Sequence, residues 1–414
     1  MVTIEDFKID SSKKIVDDVN IQVVYIPLRN NVGISYNETV KTGDYVYIGS
    51  VIGKNAMIDT PLISSVSGYV VGFIDKYISD GSVSRCIVIE NDFKDKYLNK
   101  LGKRNDITKY SKDEFIYLLK NSAIYDISGY PLYPKYDTKN KIDYLIINGA
   151  ECEIYASSDN ALMYNNVEEI LEATDAIMEI MGIKKAYIAI NEKNVKVIAR
   201  FMSHINTYPN IKIYPLIDAY PNGYDRFLVS NILSLTYDKH STEVGVICQN
   251  VYTTYAIYEM LKYNKPMNEV IVSINGNGIK KPANYKLRIG TNINELFLKT
   301  DILKKIKDPL LIAGGAMMGI SLPTDSVIVT ANCRCFLVIS KNEDEEMECI
   351  NCGKCSEVCP LNLIPSMIID NPKEADKLHI DKCINCGLCS YVCPSKIKIT
   401  EIIKKIKGGY SDEI

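Results

Sequence analysis

Two stretches near the carboxyl end, CINCGKCSEVCP (349–360) and CINCGLCSYVCP (383–394), govern the reading of the chain. Each has the form C-x2-C-x2-C-x3-C-P, with four cysteines inside eleven residues. Thiolates are soft ligands that suit iron–sulfur clusters and zinc alike. Zinc ribbons use two well-separated CxxC pairs, one tetrahedron per four cysteines. Four thiols in one short run, twice, instead follow the paired-cluster pattern, in which the fourth cysteine of each run serves the other cluster. Cys349, Cys352 and Cys355 with Cys393 are therefore expected to hold one [4Fe–4S] cluster. Cys383, Cys386 and Cys389 with Cys359 are expected to hold the other. Gly353 and Gly387 let the backbone turn closely around the sulfurs, and Pro360 and Pro394 stop the local helix. A pair of zinc sites is the alternative.

The bulk of the sequence bounds the rest. At about 100–200 residues per domain, 414 residues suggest several domains. Apolar residues at 47% and charged residues at 24% are ordinary globular usage. A net charge of -3 gives no global field for nucleic acid. No run of about 18 apolar residues is present, so no span is expected. MVTIEDFKIDSSKK (1–14) has no apolar core of a secretory signal. Thirteen cysteines without such a signal argue against a disulfide framework and for a cytoplasmic, anaerobic metalloprotein.

Four units are expected, at 1–100, 112–262, 263–340 and 341–414. Residues 21–92 read as short strands between turn signals, VKTGDYVYIGSVIGK (40–54), PLISSVSGYVVGFID (61–75) and SRCIVIEND (84–92). The set suggests a barrel-sandwich hybrid of the kind found in lipoyl and biotinyl carriers. Those carriers present a lysine at the hairpin tip; Ser64–Gly68 has none, so no such attachment is expected. Residues 142–217 switch to strand–helix alternation. IDYLIING leads to a helical run in which Val167, Ile170, Leu171, Ile177, Met178 and Met181 share one face, with Gly182 as its cap. KAYIAI (185–190), a short helix over 194–204 and IKIYPLI (211–217) complete a parallel sheet covered on both faces. Residues 267–306 read as two strands and a helix. KNEDEEME (341–348) reads as an acidic linker, and KITEIIKKIK (398–407) as a basic helix with a solvated end.

This order of units resembles the RnfC family, from the Rnf electron-transport complex, and its soluble relatives, the electron-transfer protein of proline reductase and the cobalamin reductase of propanediol-using bacteria. The resemblance covers about residues 21–405. It rests on SSVSG (64–68), LIINGAECE (145–153) with Ser158-Asp159, GVICQNVYTTYAIYEML (245–261), NGNGIKKPANYKLRIGT (275–291), IAGGAMMG (312–319) with Leu322-Pro323, and the cysteine motifs. It implies a multidomain α/β and α+β fold. The parts are a barrel-sandwich hybrid, a complex I flavin-subunit-like α/β domain, an SLBB β-grasp-like unit and a two-cluster ferredoxin-like domain.

The resemblance also implies an FMN site in the second unit. The family pattern there is a glycine-rich stretch ending Gly-x-x-Phe-Pro-Thr, whose N–H groups nest the phosphate of the flavin or of NADH. AIYDISGYPLYPKY (123–136) keeps Gly129 and Pro131, but carries Ile124, Asp126 and Ile127 where glycines belong. Asp126 would oppose a phosphate. Asn148, Glu151, Glu153, Asn250 and Thr253 match the other flavin positions. As a retained scaffold they would instead be turn-capping asparagines and solvated glutamates. Glu153-Ile154 replaces the family's Glu-Pro, and its amino-terminal His-Pro segment is absent.

The expected function is electron relay through two [4Fe–4S] clusters to or from a redox partner, a reductase or Rnf-like subunits, with proline reductase one candidate. The alternatives are an FMN-dependent NADH dehydrogenase and a non-catalytic docking component with structural clusters. Outer-sphere transfer asks for no general acid or base. Cys333 and Cys335 read as alternate-face thiols, one of them buried, and Cys152 as a packed thiol. His204, His240 and His379 show no metal spacing. GNG (276–278) reads as a turn.

Overall fold

The computed structural model describes residues 7–99, 101–341 and 345–409. Asn342, Glu343 and Asp344 of the acidic linker lie outside them, as does the start of MVTIEDFKIDSSKK.

In the first unit, Val23–Pro27, Val83–Asn91 and Gly68–Ile78 pair antiparallel, and Tyr45–Val46 adds to Gly68–Ile78. A small sheet of Asn37–Glu38, Val51–Lys54 and Leu62–Ile63 lies beside them. Alternation along the strands puts Val24, Ile26, Ile87, Ile89 and Val70 into one core. Gly68 turns where a Cβ would sit 1.8 Å from the Glu90 carbonyl oxygen, so only glycine fits. The tip is buried. Ser64, Ser65, Val66 and Ser67 are almost fully covered, and the Ser65 hydroxyl donates to the Ile289 carbonyl at 2.5 Å. The sheet has one strand that local sequence did not announce. Val327–Ile328 pairs parallel with Tyr77 and Ile78, and two residues are too short a run to carry a period.

The second unit is a four-stranded parallel sheet. Its order is Ile211–Leu216, Lys185–Asn191, Tyr144–Gly149, Val246–Asn250. Leu145, Ile147, Ile188 and Ile190 face the helices Val167–Met181 and Val251–Tyr263, while Ile146, Ala189 and Val246 face Asp225–Leu233. Both faces are covered, as expected. Gly182 caps its helix at φ +67. The chain steps outward from 144–149 to 211–216 and then returns to the far side of 144–149. That reversal is the topological switch point, where parallel sheets place their ligands at the strands' carboxyl ends.

The third unit is a five-stranded sheet ordered Ala283–Arg288, Glu269–Asn275, Cys335–Ser340, Pro309–Ala313, Ile320–Leu322. The first two strands and the helix Ile293–Thr300 follow the sequence reading; the last three complete the sheet around them. Cys333 and Cys335 are both buried, which corrects the expectation of one covered thiol. The cysteine module packs Leu363, Ile368, Ile380, Ile399 and Ile403 between its short helices and Ile399–Gly409.

Glu269 anchors the junction of the second and third units. Lys265, Arg288 and Lys286 lie 2.9, 3.1 and 3.3 Å from its carboxylate. Burial alone would raise its pKa, yet the three cations bring it down from 4.5 to about 2. A carboxyl depressed in the folded state contributes stability above its unfolded pKa, and that contribution is lost as pH falls toward the folded value. Wild-type stability should therefore drop between pH 4.5 and about 2. Glu269→Gln takes a shared counter-charge from three cations, leaving Lys265 to Glu259 at 2.8 Å and Arg288 to Asp95 at 2.7 Å. It should cost about 3–5 kcal/mol near neutral pH and flatten that acid limb, as read from urea-unfolding midpoints across pH.

Candidate functional site

The switch point gathers the residues that the sequence singled out. Asn148 ends the 144–149 strand, and its amide donates to the Gly223 carbonyl at 2.8 Å and to Asp225 at 3.1 Å. Asn250 caps the helix Val251–Tyr263. Its Oδ1 accepts from the Tyr252 N–H at 2.8 Å, and its amide donates to Asp159 at 2.6 Å. Thr253 donates to the Tyr125 carbonyl at 3.4 Å. Both asparagines thus serve the scaffold.

The two glutamates are half-buried and bound by backbone N–H groups rather than free in solvent, which corrects that alternative. Glu151, in the left-handed region at φ +38, accepts from the N–H groups of Asp159 and Asn160 at 2.8 and 2.9 Å, at the start of the helix Ser158–Asn165. Burial, and then Asp159, push its pKa upward. Glu153 accepts from the N–H groups of Met317 and Met318 at 3.1 and 2.8 Å. A Cβ on Gly315 would lie 2.0 Å from its carboxylate, so the glycines of IAGGAMMG wrap this side chain.

Sequence reasoning missed the cations of this region. Arg334 pairs with Asp159 at 2.6 Å and lies 3.9 Å from the centre of the Tyr252 ring. Lys8 lowers the pKa values of Glu151, Glu153 and Asp218 by its charge. It rides on an amino-terminal segment that crosses the carboxyl edge of the sheet. There Phe7 stacks on Tyr155 at 5.0 Å, and Asp10 pairs with Lys196 at 2.8 Å. The sequence marks Arg334 only by its place between two cysteines; Lys8 carries no local signal.

The loop over 123–136 closes on itself. Asp126 is 7% exposed. Its Oδ1 accepts from the N–H groups of Ser128 and Tyr130 at 3.0 and 3.1 Å, and its carbonyl accepts from the Gly129 N–H at 3.0 Å. Lys135, also missed, lies 3.3 Å from Asp126 Oδ2 and donates to the Cys248 carbonyl at 3.2 Å. Burial would lower the Lys135 pKa, but Asp225 and Asp126 hold it above the usual lysine value. The Gly129 carbonyl accepts from Asn30 of the first unit at 3.0 Å.

The eight motif cysteines surround two voids. One, about 190 Å³, is lined by Cys349, Cys352, Cys355 and Cys393. The other, about 30 Å³, is lined by Cys359, Cys383, Cys386 and Cys389. Each void draws three cysteines from one motif and the fourth from the other. Among the described residues no three His, Cys, Asp or Glu side chains are grouped to hold a single metal ion. Thiols set around a void suit a cluster that fills it.

The two voids differ in position. Cys386 is buried, and its carbonyl accepts from the Tyr220 hydroxyl at 2.7 Å. Cys152, Met317 and Tyr220 pack against the same motif. Burial, and then Glu153, push the Cys152 thiol up to about 12, so it is a packed and unreactive group. Cys349 and Cys352, by contrast, are exposed, as are Met347, Ile350, Ile364 and Met367 nearby in the module. One void thus faces the α/β unit and the other faces solvent.

Comparison with known proteins gives three of the four expected parts. Residues 2–94 match the RnfC barrel sandwich hybrid domain, 122–259 the Nuo51 FMN-binding domain, and 348–397 a 4Fe-4S dicluster domain. The chain is 29% identical over 377 residues to the C subunit of the proton-translocating ferredoxin:NAD(+) oxidoreductase complex of Clostridium ljungdahlii, covering 87% of this chain and 82% of that protein. It is 29% identical over 357 residues to the C subunit of the ion-translocating oxidoreductase complex of Haemophilus influenzae, and 28% over 361 residues to that of Pasteurella multocida. It covers 54% and 43% of those two proteins, about half their length. The crystal structure of an NAD+-reducing [NiFe]-hydrogenase in the H2-reduced state aligns with a TM-score of 0.51 at 13% identity, over 74% of this chain and 55% of that one, a likeness of fold.

Four-cysteine voids fit [4Fe–4S] clusters. The loop over 123–136 does not fit the phosphate of a flavin: the N–H groups of residues 128–130 already bond to Asp126, and the nearby lysine is paired with it.

Gly387 joins the cysteine module to this site. It sits at φ +83, and a Cβ there would lie 2.5 Å from the Met317 carbonyl oxygen; Gly353 sits at φ +76 with open space around it. Gly353→Ala should cost about 1–2 kcal/mol of left-handed strain. Gly387→Ala should cost that and about 1–3 kcal/mol more of overpacking. Only the latter should speed protease cleavage in the 341–348 linker.

Proposed function

We propose that this chain is a component of the RnfC family of ion-translocating oxidoreductases and passes electrons between protein partners through two [4Fe–4S] clusters held by its eight motif cysteines. The observation that carries this reading is the sorting of those cysteines around two voids, three from one motif and one from the other in each. Cys349, Cys352, Cys355 and Cys393 would hold the outer cluster, and Cys383, Cys386, Cys389 and Cys359 the inner one. Each cluster, when bound, supplies one-electron redox chemistry.

The chain's own residues do the positioning. Tyr220, Met317 and Gly387 fix the inner motif against the α/β unit. Exposure of Cys349 and Cys352 within an apolar rim leaves the outer motif open to a docking protein. Proton transfer has no place in such an exchange, so no acid or base is assigned. Rnf-like subunits are the natural partners. A reductase such as proline reductase is a narrower candidate, in keeping with the likeness to soluble relatives. Among the described residues no helix is long and apolar enough to cross a membrane. A cytoplasmic site of action, with peripheral attachment to the inner face of the membrane, completes the proposal.

A second reading, an FMN-dependent NADH dehydrogenase, is favoured by the match of 122–259 to an FMN-binding domain. Anaerobically purified protein separates the two. The carrier should contain about eight irons per chain, no flavin, and visible absorbance that dithionite bleaches and re-oxidation restores. Stoichiometric FMN with reduction by NADH would replace the carrier with the dehydrogenase. Iron that does not respond to dithionite would leave a docking component, and zinc would overturn both redox readings. The cross-motif pairing has its own test. Cys393→Ser should alter the same electron-paramagnetic signal as Cys352→Ser, and Cys359→Ser the same signal as Cys386→Ser. Pairing of Cys359 with Cys352 instead would refute the exchange.

A further inference from the structure

The loop over 123–136 is built as an anion site, and the anion in it belongs to the chain. The N–H groups of Ser128 and Tyr130 turn toward the Asp126 carboxylate, and that of Gly129 between them toward the Asp126 backbone carbonyl. Successive N–H groups on a tight turn make a concave nest for negative charge. Lys135 adds a half-buried ammonium 3.3 Å from the same carboxylate. The scaffold around the loop is fixed. Asn30 holds the Gly129 carbonyl from one side, Thr253 reaches the Tyr125 carbonyl from another, and the Tyr125 hydroxyl meets that of Tyr36 at 3.1 Å. The negative group within the nest is Asp126.

We propose that Asp126 is a resident anion occupying a preformed phosphate nest, so that this chain excludes the phosphate of a mononucleotide, and that removal of the carboxylate opens the nest to one. The inference deepens the carrier reading above and rests on it. A closed nest removes the entry point at which a flavin would feed the inner cysteine motif, which leaves protein partners as the source and sink of electrons. The excluded ligand class is a phosphate monoester on an apolar or aromatic body, FMN being the relevant case for a domain of this fold.

The test uses the full chain, cluster-loaded and purified anaerobically. Equilibrium dialysis is run with FMN, with riboflavin, and with inorganic phosphate as competitor. Wild type should retain none of them saturably. Asp126→Ala should gain saturable FMN binding at least tenfold tighter than wild type, competed by phosphate and not shared by riboflavin. Lys135→Ala placed on Asp126→Ala should abolish the gain. Asp126→Ser keeps a short acceptor for the Ser128 N–H without charge; it should also gain binding, and it decides the matter if the alanine variant fails to fold.

Stoichiometric FMN in wild type would overturn the proposal, as would a folded Asp126→Ser variant with no gain. Riboflavin binding equal to that of FMN would overturn it too, since the nest would then play no part. Stoichiometric FMN in wild type that NADH reduces would sink the carrier reading as well, whereas a folded Asp126→Ser variant with no gain, its iron content and dithionite response unchanged, would sink this proposal alone.

Discussion

The α/β unit and the cysteine module are joined through one short stretch of backbone, residues 315–318, and through Tyr220 beside it. On one side the half-buried carboxylate of Glu153 takes the N–H groups of Met317 and Met318. On the other, the Met317 carbonyl lies where a side chain on residue 387 would have to go. A buried carboxylate is costly unless its oxygens are satisfied. Glu153 is satisfied by the backbone that the second motif rests on, so its solvation and the seating of the module are one requirement. The Tyr220 hydroxyl on the Cys386 carbonyl closes the same joint from the α/β side. The inner motif is thereby held rigidly, while the outer one keeps an open face.

The switch point is a crowded electrostatic system. Asp159 serves Asn250 and Arg334, Glu151 closes the start of the following helix, and Asp225 acts on both Asn148 and Lys135. Buried charges persist where partners and hydrogen bonds offset their desolvation. The consequence for function is that residues typed as ligand-binding by position are spent on each other. Position at the end of a parallel strand makes a residue available to a ligand; the surrounding charges decide whether it is free to take one.

Much of this was legible in the chain because the signals were local. The cysteine spacing is a ligand pattern within twelve residues, and the apolar period of Val167–Met181 with Gly182 behind it needs no distant partner. The closing of the 123–136 loop was half legible: Asp126 reads as hostile to phosphate, but that its carboxylate would gather the loop's own N–H groups and Lys135 depends on a turn geometry that composition does not specify. Glu151 and Glu153 read as solvated because glutamate seldom lies buried without a partner, and their partners are N–H groups about eight and 165 residues away. The Val327–Ile328 strand and the Lys8 contacts share this character, being made by tertiary placement alone.

That placement has a consequence for how the chain matures. The first sheet is completed by Val327–Ile328, which pairs with residues made about 250 positions earlier. The amino-terminal segment finds its seat on Asn275, Asn284 and Tyr285, with Phe7 and Val16 among the residues fixed there. Synthesis runs from the amino end at about 5–20 residues per second, so the earliest residues wait on some of the latest. Loop closure over such spans is slow. The barrel-sandwich unit, though made before the α/β unit, does not stand free of the later chain. It is finished by a strand that emerges only after the α/β unit, and its edge stays open until then.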